Sequence, residues 1–261
     1  MYLEYWNLEK KPFENAPDPE FFYFSPEHEE AYLRMLYTIK ENKGAGMLSG
    51  EYGCGKTTLI RLIVSDLSEN QFDIAVLDNP RWTPMEMLKE ILYQLGEEVK
   101  TDSQTGISRI LGEFLYQNFM KKRYTIIIID EAQLIKDDAI FEELRLLLNY
   151  QLHDRFLLTL LLVGQPELRE RVMAIPQLEQ RLSIKYHLHT FDINNTYRYI
   201  NHRLKIAGAT RPFFNQDAVR VIYRVSYGVP RRINNICDIG LLVASRRGVK
   251  EIGPEIIESV I

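Results

Sequence analysis

The 261-residue sequence has little cysteine, no large excess of either charge and no long apolar run. Its two cysteines, Cys54 and Cys237, lie far apart and match no metal-ligand spacing, which favours a reduced, cytoplasmic protein. A formal net charge of −4 excludes a uniformly basic nucleic-acid binder but leaves room for a local basic patch.

Signals for membrane insertion are also missing. The N-terminus is too polar for a signal peptide. The most apolar runs, TIIIID and FLLTLLLVG, fall far short of the roughly 20 residues that span a bilayer. We therefore expect a soluble chain with no membrane segment. With 46% apolar residues, such a chain can bury a sizeable core without disulfides or metals.

Five short apolar runs predict β-strands, and helical patterns separate most of them. The runs are GMLSG, FDIAVLDN, YTIIIID, FLLTLLLVG and LSIKYHLH. Alternation of strands with helices predicts an α/β fold with a five-stranded, mostly parallel sheet. After about His189 only helical patterns follow. We therefore predict an α/β domain over residues 1–190, including an N-terminal segment 1–45, and a small, all-helical domain over residues 191–261.

The stretch SGEYGCGKTT fits the pattern G-x-x-x-x-G-K-[ST], with Gly50 first and Thr57 last, between a predicted strand and a predicted helix. Glycine lets backbone N–H groups curl around a phosphate, and the helix N-terminus attracts the anion. Lys56 adds charge for the β- and γ-phosphates, and the Thr57 hydroxyl can bind Mg²⁺. The predicted nucleotide-binding residues are Gly50, Glu51, Tyr52, Gly53, Cys54, Gly55, Lys56, Thr57 and Thr58.

Two positions in this loop have a second interpretation. Thr58 fits a helix residue better than a second magnesium ligand. Cys54 is either a small, tolerated residue or a thiol whose pKa is lowered by the amides of the helix terminus. If alkylation of Cys54 leaves nucleotide binding intact, the thiol does not face the phosphates.

The run TIIIIDEAQ ends in two acids, Asp130 and Glu131, at the carboxyl end of a predicted strand. Ligands of open parallel sheets bind at this edge. We expect Asp130 to hold Mg²⁺ through water, and Glu131 to orient or deprotonate the attacking water. The alternative is a pair of surface acids that open a loop.

On these motifs the chain resembles an AAA+ ATPase, and more narrowly the ATPase domain of the general secretion pathway protein A (ExeA/GspA) family, which is related to TniB-type transposition ATPases. The resemblance covers nearly the whole chain. Its most specific markers are the opening MYLEYWNLEKKPFENAPDPEFFYFSPEHEEAYLRMLYTI and the segment VGQPEL. It implies a P-loop AAA+ domain with a helical lid, ATP and Mg²⁺ as cofactors, and an ATP-dependent homo-oligomer, either a ring or a filament.

The resemblance also implies roles for polar residues at two strand ends. Gln165 in VGQPE matches sensor 1, which contacts the γ-phosphate or the attacking water. The alternative is a turn residue before Pro166. Asn79 in VLDN resembles a polar residue that restrains the catalytic glutamate, although Asn-Pro is also a turn signal. The aromatic N-terminal segment is expected to close over the adenine.

Arginines complete the implied site. Arg181 in LEQRLS matches the arginine finger that reaches the nucleotide of a neighbouring subunit, and the alternative is an ordinary surface arginine. Arg169 and Arg171 are weaker candidates. Arg231 in GVPRRIN matches sensor 2, and Arg232 is its rival.

The implied function is ATP hydrolysis at subunit interfaces, which drives assembly or remodelling of a separate partner in a secretion or pilus-type envelope system. One alternative is an ATP-dependent transposition regulator that binds duplex DNA and a transposase. Its support is the lid segments RYINHRLK, PRRIN and ASRRG, which form either a basic face or solvated helix charges. Another alternative is a nucleotide-dependent scaffold with weak turnover. Secretion-type members continue into a membrane segment, so we expect either a truncated chain or a free-standing ATPase.

Overall fold

The structure, a computed structural model, describes residues 2–78, 81–152 and 155–261. Within these residues the strands are β1 (Ala45–Gly50), β2 (Phe72–Leu77), β3 (Tyr124–Ile129), β4 (Gln151–Leu152), β5 (Arg155–Phe156), β6 (Leu158–Gly164) and β7 (Leu182–Leu188). Five of them form one sheet in the order β2-β3-β6-β1-β7, and all neighbouring pairs are parallel. The five predicted strands are therefore confirmed.

The central strands explain why the sequence shows them so clearly. Every residue of β1 and β6 is buried, and so is every residue of β3 except Tyr124. A parallel strand that is covered on both faces needs apolar residues at successive positions rather than at alternate ones. The runs IIII and LTLLLVG meet this requirement.

The helices within the described residues are α1 (Leu3–Trp6), α2 (Pro26–Lys40), α3 (Lys56–Asp66), α4 (Pro84–Gln94), α5 (Gln104–Met120), α6 (Asp138–Leu147), α7 (Pro166–Met173), α8 (Pro176–Glu179), α9 (Ile193–Ile206), α10 (Gln216–Ser226), α11 (Pro230–Arg247) and α12 (Pro254–Glu258). Proline at the first position and side-chain caps begin several of them, such as the capping box of Thr83 and Glu86 on α4. None of these helices is both long and apolar enough to cross a bilayer.

One predicted helix is too long. The pattern over residues 137–152 favours a single helix, but α6 ends at Leu147. Gln151–Leu152 then forms strand β4, which pairs in antiparallel fashion with Arg155–Phe156, strand β5. A strand of two residues is too short to show a periodic pattern. The sequence therefore contains no signal that the helix ends before residues 151–152.

The chain divides into two compact units. The sheet unit consists of Glu30–Gly50 and Ile60–Leu188, and the helical unit consists of Met1–Glu29, Glu51–Leu59 and His189–Ile261. This division differs from the predicted domains, because it groups the N-terminal segment and the phosphate loop with the C-terminal helices.

The core of the helical unit explains this grouping. Trp6 is buried, its ring lies 4.5 Å from that of Phe213, and its indole N–H donates to the carbonyl of Leu241 at 3.0 Å. Arg203 is also buried and donates to the carbonyls of Pro12 and Glu14. Aromatic residues of the N-terminal segment therefore fill the core that the C-terminal helices build.

Candidate functional site

The phosphate loop lies between the end of β1 and the start of α3 at Lys56. Gly53 and Gly55 have φ values of +84° and +95°, a region that only glycine adopts readily. Gly50 has a different requirement, since a Cβ there would lie 2.5 Å from the carbonyl oxygen of Leu188 on β7. Gly50 is therefore required by strand packing, whereas Gly53 and Gly55 are required by the curl of the loop.

The ammonium group of Lys56 lies over this loop. Lys56 is only 6% exposed, and its Nζ donates to the carbonyl of Glu51 at 2.9 Å. The backbone N–H of Cys54 donates to the same carbonyl at 3.3 Å. Thr57 and Thr58 are half-buried in the first turn of α3. The charge of Lys56 is thus placed beside the backbone amides that a phosphate needs.

His28 contacts the backbone of the loop. The sequence did not predict this contact. Its Nε2 lies 2.9 Å from the carbonyl oxygen of Cys54, which can only accept, so we assign the proton to Nε2. Its Nδ1 then accepts from the hydroxyl of Ser25 at 2.7 Å. Burial lowers the pKa of His28, which keeps the ring neutral. A histidine in the first turn of a helix carries no sequence signal for such a contact.

The structure separates the two interpretations of Cys54. The side chain is fully buried, and this burial raises the pKa of the thiol to about 11. The idea of an activated thiol is therefore wrong, because desolvation outweighs the effect of nearby Lys56. Cys54 serves the loop through its backbone, and a small, buried side chain suffices there.

Arg231 contacts the phosphate loop within the helical unit. It lies in the first turn of α11, and its backbone N–H donates to the carbonyl of Gly53 at 3.3 Å. Its guanidinium stacks 4.9 Å from the centre of the Tyr52 ring and donates to the Tyr52 hydroxyl. Arg232 is exposed instead. Among the described residues, Arg231 is thus the sensor 2 candidate that contacts the loop.

The acidic end of β3 is a tight turn in the sheet unit. Asp130 is 4% exposed, and its Oδ1 accepts from the N–H of Glu131 at 2.8 Å. Glu131 has a φ of +52°, which is unusual for a residue other than glycine. A 3₁₀ turn, Ala132–Leu134, follows directly. The turn presents both carboxylates at the carboxyl edge of the sheet.

Two glutamines hold the Glu131 carboxylate. Its Oε2 accepts from Nε2 of Gln133 at 2.5 Å and from Nε2 of Gln165 at 3.4 Å. The backbone N–H of Gln165 also donates to Oε1 of Gln133 at 2.9 Å. The structure thus brings the predicted Gln165 together with the predicted Glu131. The sequence did not predict the contact of Gln133 with Glu131, although Gln133 stands only two positions after Glu131.

The candidate arginine fingers lie elsewhere in the sheet unit. Arg181 donates to the carbonyl of Leu148 at 3.2 Å and to Oδ1 of Asn149 at 3.1 Å. Arg171 pairs with Asp138, and Arg169 is exposed. These contacts leave the finger assignment as a prediction. Asn79 lies outside the described residues.

The family of the chain follows from comparison with known proteins. The AAA domain family matches residues 39–172, which is just over half of the chain. The chain belongs to this AAA domain family. The family and the fold together support ATPase activity.

Relatives of this AAA domain include proteins of several kinds. General secretion pathway protein A of Aeromonas hydrophila is 33% identical over 257 residues, which are 97% of this chain and 46% of that protein. DNA polymerase III subunit gamma of Buchnera aphidicola is 23% identical over 74% of this chain and 50% of its own length. The chain spans about half the length of these curated relatives.

Solved structures agree on the fold. The ORC2 protein of Aeropyrum pernix superimposes with a TM-score of 0.72 at 18% identity, covering 97% of this chain and 71% of that one. The RuvB Holliday junction branch migration motor of Thermotoga maritima has a TM-score of 0.59 at 19% identity, covering 89% of this chain and 68% of that one. At such identities the likeness shows the fold alone.

Proposed function

We propose that this AAA domain binds ATP with Mg²⁺ and hydrolyses it. The observation that carries the proposal is Glu131, a carboxylate held at the carboxyl end of β3 by two side-chain amides. A general base needs a fixed direction, because proton transfer requires hydrogen-bond reach of the attacking water. The roles follow from chemistry: Glu131 orients or deprotonates water, Gln165 senses the γ-phosphate, and Lys56 neutralises phosphate charge.

The protein groups suit a magnesium ion. The hydroxyl of Thr57 and the carboxylate of Asp130 are hard oxygen donors, which Mg²⁺ prefers. Mg²⁺ usually keeps several waters and takes substrate phosphates as ligands alongside one or two protein groups. A bound Mg²⁺ ion would neutralise charge on the nucleotide phosphates.

Steady-state hydrolysis tests the proposal. Wild-type protein should turn over ATP in the presence of Mg²⁺ and lose turnover when EDTA removes it. Glu131→Gln should bind ATP and lower kcat by about 100-fold or more, since it removes the base and keeps the shape. Equal turnover in both proteins would contradict the role of Glu131. Wild-type turnover too slow to measure, even with an assembled partner, would favour the scaffold alternative.

We also propose that ATP is hydrolysed between subunits of a homo-oligomer, with Arg181 supplied in trans. The arginine is half-buried and held by two acceptors at the end of α6, so its stem is positioned while part of the head stays accessible. Size-exclusion chromatography with and without ATP tests the oligomer. Mixing Arg181→Ala with Glu131→Gln should restore some turnover, and an intact mixed oligomer without any rescue would contradict the assignment.

The partner that we propose is part of an envelope secretion or pilus-type system, reached from the cytoplasm. Support comes from the 33% identity to general secretion pathway protein A, which runs along nearly the whole chain. The test is co-purification with the envelope proteins encoded by neighbouring genes, with Glu131→Gln used to trap the ATP-bound state. A transposase as the trapped partner would contradict the envelope role.

A DNA-binding role is the second candidate. Exposed arginines at the end of α11, Arg246 and Arg247, favour it, and one solved structure of the same fold is an ORC1 protein in complex with DNA. The predicted basic face is smaller than the sequence indicates, because Arg203 is buried. A gel shift on random duplex DNA tests this role. Binding that needs ATP and weakens with salt would support the DNA-binding role, and no binding at low salt would contradict it.

A further inference from the structure

We propose that Gln133 is a positioning residue, which fixes the direction of the Glu131 carboxylate and links it to the sensor 1 turn at Gln165. The proposal rests on the proposed function, in which Glu131 acts on the attacking water. Gln133 itself does no chemistry in this account. Its effect on hydrolysis passes through Glu131.

The contacts of Gln133 use both ends of its amide. Nε2 donates to Oε2 of Glu131 at 2.5 Å, and Oε1 accepts from the backbone N–H of Gln165 at 2.9 Å. The direct contact between Gln165 Nε2 and Glu131 Oε2 is much longer, at 3.4 Å. Because hydrogen bonds weaken with distance, the path through Gln133 is the stronger of the two links between the turn and the carboxylate.

We call the two contacts of the Gln133 amide, with Glu131 and with Gln165, the clamp. The backbone around Glu131 explains why such a clamp is needed. Glu131 has left-handed geometry, with a φ of +52°, and such a conformation persists only where the surroundings hold it. Leu134 N–H donates to the Glu131 carbonyl at 2.8 Å and closes the 3₁₀ turn. That turn sets the place of Gln133, whose side chain in turn fixes that of Glu131.

Gly164 makes room for this arrangement. It is the last residue of β6, and a Cβ there would lie 2.6 Å from Oε1 of Gln133 and 2.9 Å from Cδ2 of Leu168. Glycine at this position therefore allows the amide of Gln133 to reach the N–H of Gln165.

The arrangement gives the site a physical link between sensing and catalysis. A nucleotide that draws Gln165 toward its γ-phosphate would move the N–H that Gln133 accepts from. Because the same amide donates to Glu131, the carboxylate would move with it. The clamp thus ties the direction of the base to the state of the nucleotide.

The test compares variants on both sides of the clamp. Gln133→Ala removes both contacts, and Gln133→Glu keeps the size but replaces the donor with a second carboxylate facing Glu131. Lys136→Ala, at an exposed lysine just after the 3₁₀ turn, is the control. We expect both Gln133 variants to lower kcat by about 10-fold or more, since small displacements of a catalytic group are costly. The Kd for ATP should stay within about twofold in all variants, and Lys136→Ala should match wild type in kcat.

A double-mutant cycle separates positioning from a general structural effect. In a Glu131→Gln background, single-turnover hydrolysis should show no further loss when Gln133→Ala is added, because the residue acts through the carboxylate. Gly164→Ala, whose added Cβ would meet both the Gln133 amide and the Leu168 side chain, should lower kcat in the same direction.

Three results would overturn or redirect the account. Wild-type kcat in both Gln133 variants, beside a Glu131→Gln protein that no longer turns over, would overturn the clamp alone. An equal loss from Gln133→Ala with and without the Glu131 carboxylate would also overturn it. Normal turnover in Glu131→Gln would instead overturn the proposed function on which the clamp rests.

Discussion

The phosphate loop is held by backbone groups, whereas the Glu131 carboxylate is held by side-chain amides. In the loop, the carbonyls of Cys54 and Glu51 accept from His28 and Lys56, and glycines supply the curl. At the end of β3, Gln133 and Gln165 donate to one carboxylate oxygen. The difference indicates that changes in the loop should act on ATP binding, and changes beside Glu131 on turnover.

The largest expected effect is that of Lys56→Ala on ATP binding. Loss of charge-assisted hydrogen bonds to the phosphates should cost about 2 to 3 kcal/mol, which weakens binding by roughly 100-fold. Isothermal titration with ATP measures the Kd. Lys100→Ala is the control, since Lys100 is a surface lysine whose ion pair with Glu98 is exposed. Similar Kd values for both variants would contradict the role of Lys56 in ATP binding.

Gly53→Ala should weaken ATP binding by about 10-fold. Alanine at a positive φ costs about 1 to 2 kcal/mol, and a Cβ at Gly53 would also lie 2.9 Å from that of Arg231. Gly96→Ala is a matched control, because Gly96 has a φ of +86° and no atom within 4 Å of an added Cβ. Both variants should lower the melting temperature. A loss of ATP binding in both, or in neither, would contradict the special role of the loop.

The contact between His28 and the loop should make stability sensitive to acid. Burial holds the pKa of His28 below its ordinary value of about 6.5, although the Cys54 carbonyl and Glu27 oppose the shift. Below pH 6.5 the unfolded chain takes up the proton before the folded protein does. The free energy of unfolding therefore decreases as the pH is lowered. Above that value this contribution is constant.

Urea unfolding of wild type and His28→Gln at several pH values measures this effect. The stability advantage of wild type over the variant should shrink between pH 6.5 and pH 5.5, by up to about 1 kcal/mol. His202, whose pKa burial also lowers, is present in both proteins and cancels in the difference. A difference that does not change with pH would contradict a neutral, buried His28.

The smallest effect is expected at Cys54. Its thiol is buried with a pKa of about 11, and only its carbonyl contacts His28. Cys54→Ala should leave the Kd for ATP within about twofold, and iodoacetamide at pH 8 should label Cys54 far more slowly in native than in unfolded protein. Rapid labelling of the native thiol, followed by mass spectrometry, would contradict this view of the loop.

Local patterns predicted much of this molecule. The five strands were evident because buried parallel strands need continuous apolar runs, and the loop because its glycines, Lys56 and Thr57 stand in one short segment. Strands β4 and β5 and helix α12 were missed, since elements of two to five residues show no period.

The contacts that hold the site were harder to predict. His28 lies 26 residues before Cys54, and Gln133 meets Gln165 across 32 residues, so neither partner is visible in a local motif. The packing of the aromatic N-terminal segment with the C-terminal helices was not visible either, because an aromatic cluster indicates a core without showing which core it fills. Tertiary packing decided all three.

The central claim is that the phosphate loop binds ATP and that Glu131, at the end of β3, catalyses its hydrolysis. Its most direct test is a paired measurement on Glu131→Gln, with the Kd from titration and the rate from single-turnover hydrolysis. The account predicts a Kd within about twofold of wild type and a rate lower by about 100-fold or more. A variant that loses binding and rate by the same factor, or that keeps its full rate, would contradict it.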